Sequence, residues 1–186
     1  MTLAATSIPG YLAGTWTIDP AHSDISFSVR HMMVSKVKGR FGSFSGVIVT
    51  AADPLASTVT AEIDATSIDT NQEQRDAHIK SADFFEVEKY PTITFASTSV
   101  EPAGSDFLVR GDLTIKGNTR PVALKLELNG FGPDPYGGTR AGFTASTEIS
   151  RKEFGVDIDL PMDGGGVVVG DKISIVLEIE AVLNAS

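Results

Sequence analysis

The side chains able to do chemistry in this sequence are few, and their spacing argues against catalysis. The three histidines, His22, His31 and His78, show neither the HxH nor the HExxH spacing with which imidazoles share a metal. There is no GxSxG elbow. With no cysteine there is no thiolate nucleophile, disulfide or cysteine zinc site. Asp19, His22 and Ser23 supply the residue types of a hydrolytic triad, but Pro20 and Ala21 between them read as a turn. The run Asp163–Gly166 has no following Lys-Ser/Thr and no strand-to-helix setting, so it reads as an irregular connection and not as a phosphate loop. No dinucleotide fingerprint occurs.

The elements that carry these residues are mostly strands. Ile25, Phe27 and Val29 alternate with Ser26, Ser28 and Arg30, and His31 continues the apolar face, so it points inward. The same alternation places Val59, Ala61 and Ile63 on one face, and Leu124, Leu126 and Leu128 on another. Phe107, Val109, Leu113 and Ile115 form a further face, as do Ile173, Ile175, Leu177 and Ile179. Further strands are expected around 15–19, 39–50, 92–100 and 140–149. Turn chemistry separates them at 20–21, 53–54, 101–104, 116–118 and 132–138. One segment breaks the rhythm: NQEQRDAHIKSADFF (71–85) is polar, free of Gly and Pro, and reads as one helix capped by Asp69, Thr70 or Asn71. Within it Arg75 and Ile79 share a face, as do Asp76 and Lys80. A second short turn is expected at 151–154.

Many short strands at near-regular spacing give an antiparallel sandwich or barrel. An eight-stranded barrel is just wide enough to be filled by side chains or to hold one modest ligand. Gly39, Gly42, Gly46, Ala61, Ala65, Gly111, Ala141 and Ala145 fall in expected strands. They fit either coiling with glycine kinks or space left for a ligand, and periodicity alone does not decide.

Bulk properties narrow the partners. The 186 residues suit one domain, at 41% hydrophobic and 21% charged. A net charge of -9 argues against nucleic acid and against overall electrostatic attraction to anionic lipid, so membrane contact would be at most transient. The one local exception is Arg30, Lys36, Lys38 and Arg40 around Met32, Met33 and Val34. It reads as a solvated hairpin face, or as an attraction for an anionic head group with an apolar tip that touches membrane or lids a pocket. No run approaches a membrane span, and the opening MTLAATSIPGYLAGTW has no basic or long apolar stretch, so the expected location is cytoplasmic.

One long string is distinctive. DTNQEQRDAHIKSADFFEVEKYPTITFASTSV (69–100) resembles the signature of the YceI-like family: Asp-Thr-Asn, Arg-Asp-x-His, Ser-x-Asp-Phe, then Tyr-Pro and a Thr/Phe-rich strand. WTIDPAHSDISFSVRHMMVSKVKGRFGSFSG (16–46), GDLTIKGNTRPV (111–122) and DPYGGTRAGFTASTEISRKEFG (134–155) agree in order, so the resemblance spans about residues 15–183. It implies an all-β fold: an extended, eight-stranded antiparallel lipocalin-like β-barrel with one short helix packed beside it. Residues 1–14 would be an N-terminal extension and 15–186 the lipid-binding barrel domain.

The resemblance further implies a binding protein, not an enzyme, that carries or stores a long-chain isoprenoid lipid in a tunnel. The lipid would be a polyprenyl phosphate or an isoprenoid quinone, with no cofactor and with a homodimer allowed. Many family members are periplasmic or secreted. The tunnel wall would include Phe27, Val29, Phe41, Ile63, Phe95, Leu113 and Phe143, joined by Ile25, Leu126 and Leu177. His31 would be a polar handle, or else a buried histidine satisfied by a backbone carbonyl. Arg75 or His78 would meet a phosphate or quinone oxygen at the mouth, unless Arg75 and Asp76 serve to anchor the helix through ion pairs and backbone contacts. Phe84, Phe85 and Tyr90 would staple the helix over one end or line the entrance. Two other readings stand beside this one: a stress-related or structural interaction protein with a filled barrel, and an enzyme acting on a hydrophobic small molecule near His31 or His78.

Overall fold

Alternation of apolar and polar residues gives each strand one face for the interior and one for water, and in the computed structural model such strands close on themselves. It describes residues 4, 7–32, 34–158 and 169–185; Met33 and the glycine run at 163–166 lie outside these. The strands are β1 (Gly14–Ile18), β2 (Asp24–His31), β3 (Ser35–Phe41), β4 (Phe44–Thr50), β5 (Thr58–Asp64), β6 (Ile68–Asp69), β7 (Thr92–Ala103), β8 (Asp106–Ile115), β9 (Asn118–Pro133), β10 (Thr139–Ser150) and β11 (Val169–Leu183), with helix α1 (Glu73–Lys80) between β6 and β7.

Every pairing is antiparallel. β1 and β2 lie in series along β11, with Ile18 opposite Ala181 and Ile25 opposite Leu177, separated by a 3-10 turn at Pro20–His22. β3 and β4 are likewise two halves of one bent strand, pairing with β2 and β1 respectively. β5 and β6 continue a third, against β4 and β3. Counting each bent strand once, eight strands meander in chain order and the ring shuts where β1 pairs with both β4 and β11. This is the expected closed eight-stranded barrel, with the one expected α-helix. Among the described residues no helix is long and apolar enough to cross a membrane.

The structure corrects several local expectations. The strand expected through 39–50 is broken at Gly42 and Ser43, where the Gly42 amide donates to the Ser67 carbonyl and leaves the ladder. Ala65 sits in a 3-10 turn, not a strand. The helix covers only Glu73–Lys80, because the chain then folds back through turns: the Phe85 amide donates to the Ile79 carbonyl and the Val87 amide to that of Lys80. Its cap is Gln72, whose Oε1 accepts from the Arg75 amide, and not Asp69, Thr70 or Asn71. The expected turn at 151–154 is a 3-10 helix closed by Gly155, whose φ of +77° suits glycine.

The strand glycines are not empty space either. A Cβ on Gly39 would lie 2.4 Å from the Phe27 ring, one on Gly111 2.4 Å from the Phe95 ring, and one on Gly46 2.5 Å from Ile18. Each glycine admits a large side chain from a neighbouring strand, as aromatic rings cover glycines in coiled sheets.

The two barrel ends differ. At the end holding Gly14, Thr50 and the 134–138 loop, fully buried Trp16 packs with Phe131, Phe143, Ala141 and Ala181. The Trp16 and Phe131 ring centres are 5.5 Å apart, and Trp16 Nε1 donates to Thr50 Oγ1 at 2.8 Å. This cluster is a floor. The chain before β1 reinforces it, since Tyr11 stacks edge-on against Phe131 and its hydroxyl donates to the Ala51 carbonyl. At the other end lie the connection after His31, α1 with the residues after it, and the 151–156 turn. A second cluster there joins Phe84, Val87, Ile115, Phe154 and Val156 to Phe41 and Ile25.

Candidate functional site

Between floor and far end the barrel encloses a cavity of about 440 Å³. That lies within the roughly 300–1,000 Å³ usual for small-molecule sites. Its wall is drawn from every long strand, because inward positions recur every second residue. Phe27 and Val29 enter from β2, Phe41 from β3, Ile63 from β5, Phe95 from β7, Leu113 from β8 and Phe143 from β10. Ile25, Leu126 and Leu177 join them. Ile8 and Tyr11, which fall in the expected N-terminal extension, also reach the wall.

Polar groups gather at the end away from the floor. His31 closes β2 and lies on the wall; among the described residues no backbone carbonyl holds its ring. Arg75 and His78 reach the wall from α1, together with Ile79, Phe84 and Phe85. Arg30, from the last turn of β2, and Arg151, from the turn after β10, complete a set of five nitrogen-bearing side chains. Among the described residues none of the chain's 24 carboxylates lines the cavity, although net charge is -9. The elements thus sort charge by place: acid on outward strand faces, cationic and imidazole groups at one end of an apolar tube.

Several of these side chains also hold the structure. Arg75 Nε donates to Thr70 Oγ1 at 2.8 Å and Nη2 to the Thr70 carbonyl at 2.6 Å. Asp76 accepts from the Thr70 amide at 2.9 Å and from its hydroxyl. The anchoring expected of Arg75 and Asp76 therefore runs through one buried threonine, with the expected backbone contacts and, among the described residues, no ion pair at either side chain. His78 Nε2 pairs with Asp83 Oδ2 at 2.9 Å, while its ring meets Phe84 edge-on at 5.0 Å. Phe84 is buried, Phe85 reaches Phe41 at 6.5 Å between ring centres, and Tyr90 lies over Gly117, so the three staple the segment onto the barrel end.

Arg151 is an organiser that its sequence position did not announce. Only 5% exposed, it donates to the carbonyls of Gly170, Val156, Ile158 and Val169, tying the strand ends around the mouth. A second network sits outside the barrel near the floor. Arg140 contacts Asp19 at 2.7 Å, Asp134 at 3.2 Å and Glu180 at 3.3 Å. The Arg140 guanidinium and then His22 hold the Asp19 carboxyl down to about 2. Backbone amides of Gly138 and Tyr136 lead in lowering that of Asp134. Asp19, His22 and Ser23 do not form a triad: His22 Nδ1 meets Asp19 at 2.7 Å, but Ser23 Oγ bonds the Glu180 backbone on the neighbouring strand. Asp19 also caps the Pro20–His22 turn by accepting from the Ala21 amide.

A family model described as the YceI-like domain matches residues 16–181. A UPF0312 protein of Shewanella sp. (strain W3-18-1) is 45% identical over 152 residues, 80% of each chain. Burkholderia cenocepacia BcnA superposes with a TM-score of 0.76 at 24% identity, over 88% of this chain and 98% of that one. A polyisoprenoid binding domain from Saccharophagus degradans, implicated in plant cell wall breakdown, superposes with a TM-score of 0.70 at 15% identity, over 93% and 100%.

Proposed function

The chain belongs to the YceI-like family, and on that premise we propose that it binds a long isoprenoid lipid, tail in the barrel and head group at the α1 end, and carries or stores it. The observation that supports this most is the wall itself: apolar on every strand, nitrogen-bearing only at one end, and without a carboxylate among the described residues. An apolar chain with a polar, electron-rich head is the ligand that complements it. A phosphate would be recognised by Arg75, a quinone oxygen by His31 or His78. The Saccharophagus domain, named for polyisoprenoid binding, shares the fold and agrees with this reading.

Burying each CH2 contributes about 0.8 kcal/mol, and ordering a flexible tail takes back part of that. Affinity therefore rises with tail length until the tube is full and then levels. The reading is of a binder and not a catalyst, since Ser23 faces away from His22 and the histidines are dispersed over a turn, a strand end and a helix. Native mass spectrometry of freshly purified protein, followed by solvent extraction and lipid analysis, tests it. A stoichiometric adduct that extracts as a long isoprenoid is expected. A bare mass that persists after incubation with polyprenyl phosphate and with isoprenoid quinone would overturn it.

A further inference from the structure

The hairpin of β2 and β3 has an outer surface that ligand burial does not use. Residues 30–40 hold four of the chain's 15 Lys and Arg and no carboxylate. With +4 here and -9 overall, the rest of the chain carries -13. The register sets Arg30 against Lys36, Ser28 against Lys38 and Ser26 against Arg40, on the side of the hairpin opposite Val29, Val37 and Phe27; Lys36, Lys38 and Arg40 take no part in the cavity wall, and Arg30 stands at its rim. Arg40 lies 3.9 Å from Asp69 with both exposed, and Arg30, Lys36 and Lys38 have no ion pair among the described residues.

The tip is apolar. Val34 is 86% exposed and Met32 44%. Met32 has a φ of +53°, in the left-handed region where glycine or asparagine sits with least strain. A bulky apolar side chain thus occupies a backbone position that disfavours it, and much of it meets water. Lysines on an exposed strand edge can serve only to keep strands of other molecules away. That does not explain this pattern, because Arg30 belongs to β2, which is paired on both sides, and edge protection calls for no apolar tip.

We propose that this hairpin docks on an anionic phospholipid surface, Met32 and Val34 entering the interface and Arg30, Lys36, Lys38 and Arg40 facing the lipid phosphates. Apolar insertion flanked by cations is the pattern of interfacial binders, and the attraction is short-ranged enough to act locally on an acidic protein. It lets the end that bears His31, Arg75 and His78 face the bilayer from which the cargo is drawn. The docking step goes beyond the cargo reading and does not depend on it.

The test is co-sedimentation with phosphatidylcholine vesicles, with and without phosphatidylglycerol, at low and high salt. Wild type is expected to bind only the phosphatidylglycerol vesicles and to be released by salt. Lys36→Glu/Lys38→Glu is expected to lower the partition coefficient by about thirtyfold from the two lost cations alone. Val34→Asp should lower it as well, whereas Lys125→Glu, on exposed β9, leaves it within a factor of a few. Circular dichroism confirms that the variants fold. Cargo loading of the same variants in detergent, read by native mass spectrometry, should match wild type, which separates failure of docking from failure of the cargo reading. Absence of wild-type binding, equal binding to neutral vesicles, or unchanged binding by the folded double variant would overturn the proposal. So would a dimer abolished by Val34→Asp without vesicle binding, which would make the tip an interface between copies.

Discussion

Ala61 offers the sharpest check on whether the tube holds a tail. It lies on β5 between Gly46 and Phe95, half-buried, with its methyl on the cavity wall. Ala61→Leu adds three carbons to that wall. If the cavity is filled by a ligand, about three of its carbons lose their place. At about 0.8 kcal/mol per CH2 this is about 2.4 kcal/mol, close to fiftyfold in Kd for a tail long enough to fill the cavity. Relief of the ordering cost lowers the loss toward tenfold. A tail too short to reach Ala61 should lose nothing. The assay is a competition titration of purified, delipidated protein with short and long polyprenyl phosphates, alongside urea unfolding to verify that the barrel is intact. Equal losses for both lengths, or no loss for the long one in a stable variant, would refute the placement of the tail.

Two predictions concern the scaffold. Asp19 is held at about 2 by Arg140 and then His22, below its ordinary 3.8, so its contribution is complete above about pH 4 and is lost as pH falls toward 2. Discounted for its partial exposure, that contribution is about 1–2 kcal/mol; urea unfolding at pH 5 and pH 3 should show about half of it in wild type and much less in Arg140→Met. Gly111→Ala places a Cβ 2.4 Å from the Phe95 ring and 2.6 Å from the Ala96 carbonyl oxygen, so a loss of about 1–3 kcal/mol is expected, whereas Gly132→Ala, with nothing within 4 Å, should cost far less in the same measurement.

The barrel was legible because its signal is local. One face of Ile25, Phe27 and Val29 is apolar whatever the strand pairs with, and eight such runs joined by turns leave few architectures. The inward strand residues, with His31, Arg75, His78, Phe84 and Phe85, lie on the cavity wall, because strand alternation and the helix motif mark them, whereas Tyr90 does not. What escaped depends on partners far apart in sequence. Arg140 meets Asp19 across 121 positions, and Trp16 meets Thr50 across 34. Arg151 looked like the opening of a turn, and nothing beside it shows that its guanidinium ends among backbone carbonyls. Gly39 and Gly111 were ambiguous for the same reason: whether a missing side chain means room or a neighbour's ring is decided by the opposite strand. Tyr11 and Ile8 precede the first strand, where no periodicity marks them as part of the wall.

The ring of hydrogen bonds is complete around the floor but not around the mouth. β3 pairs with β6 only at Arg40 and Phe41, so residues 35–39 have β2 on one side and, among the described residues, no strand on the other. On that side Thr70 lies against Gly39, and α1 hangs from Thr70 by the side chains of Arg75 and Asp76, with none of its own residues buried. Mechanically the molecule is a tube slit part-way along one seam. Swinging the flap beside the seam breaks a few side-chain hydrogen bonds and unseats Phe84, Phe85 and Tyr90, yet leaves every rung of the ladder in place. If the tube carries a lipid, exchange would proceed at the pace of a loop motion, far faster than the barrel unfolds, and a cross-link between β3 and α1 would stop it while every strand pairing stays intact.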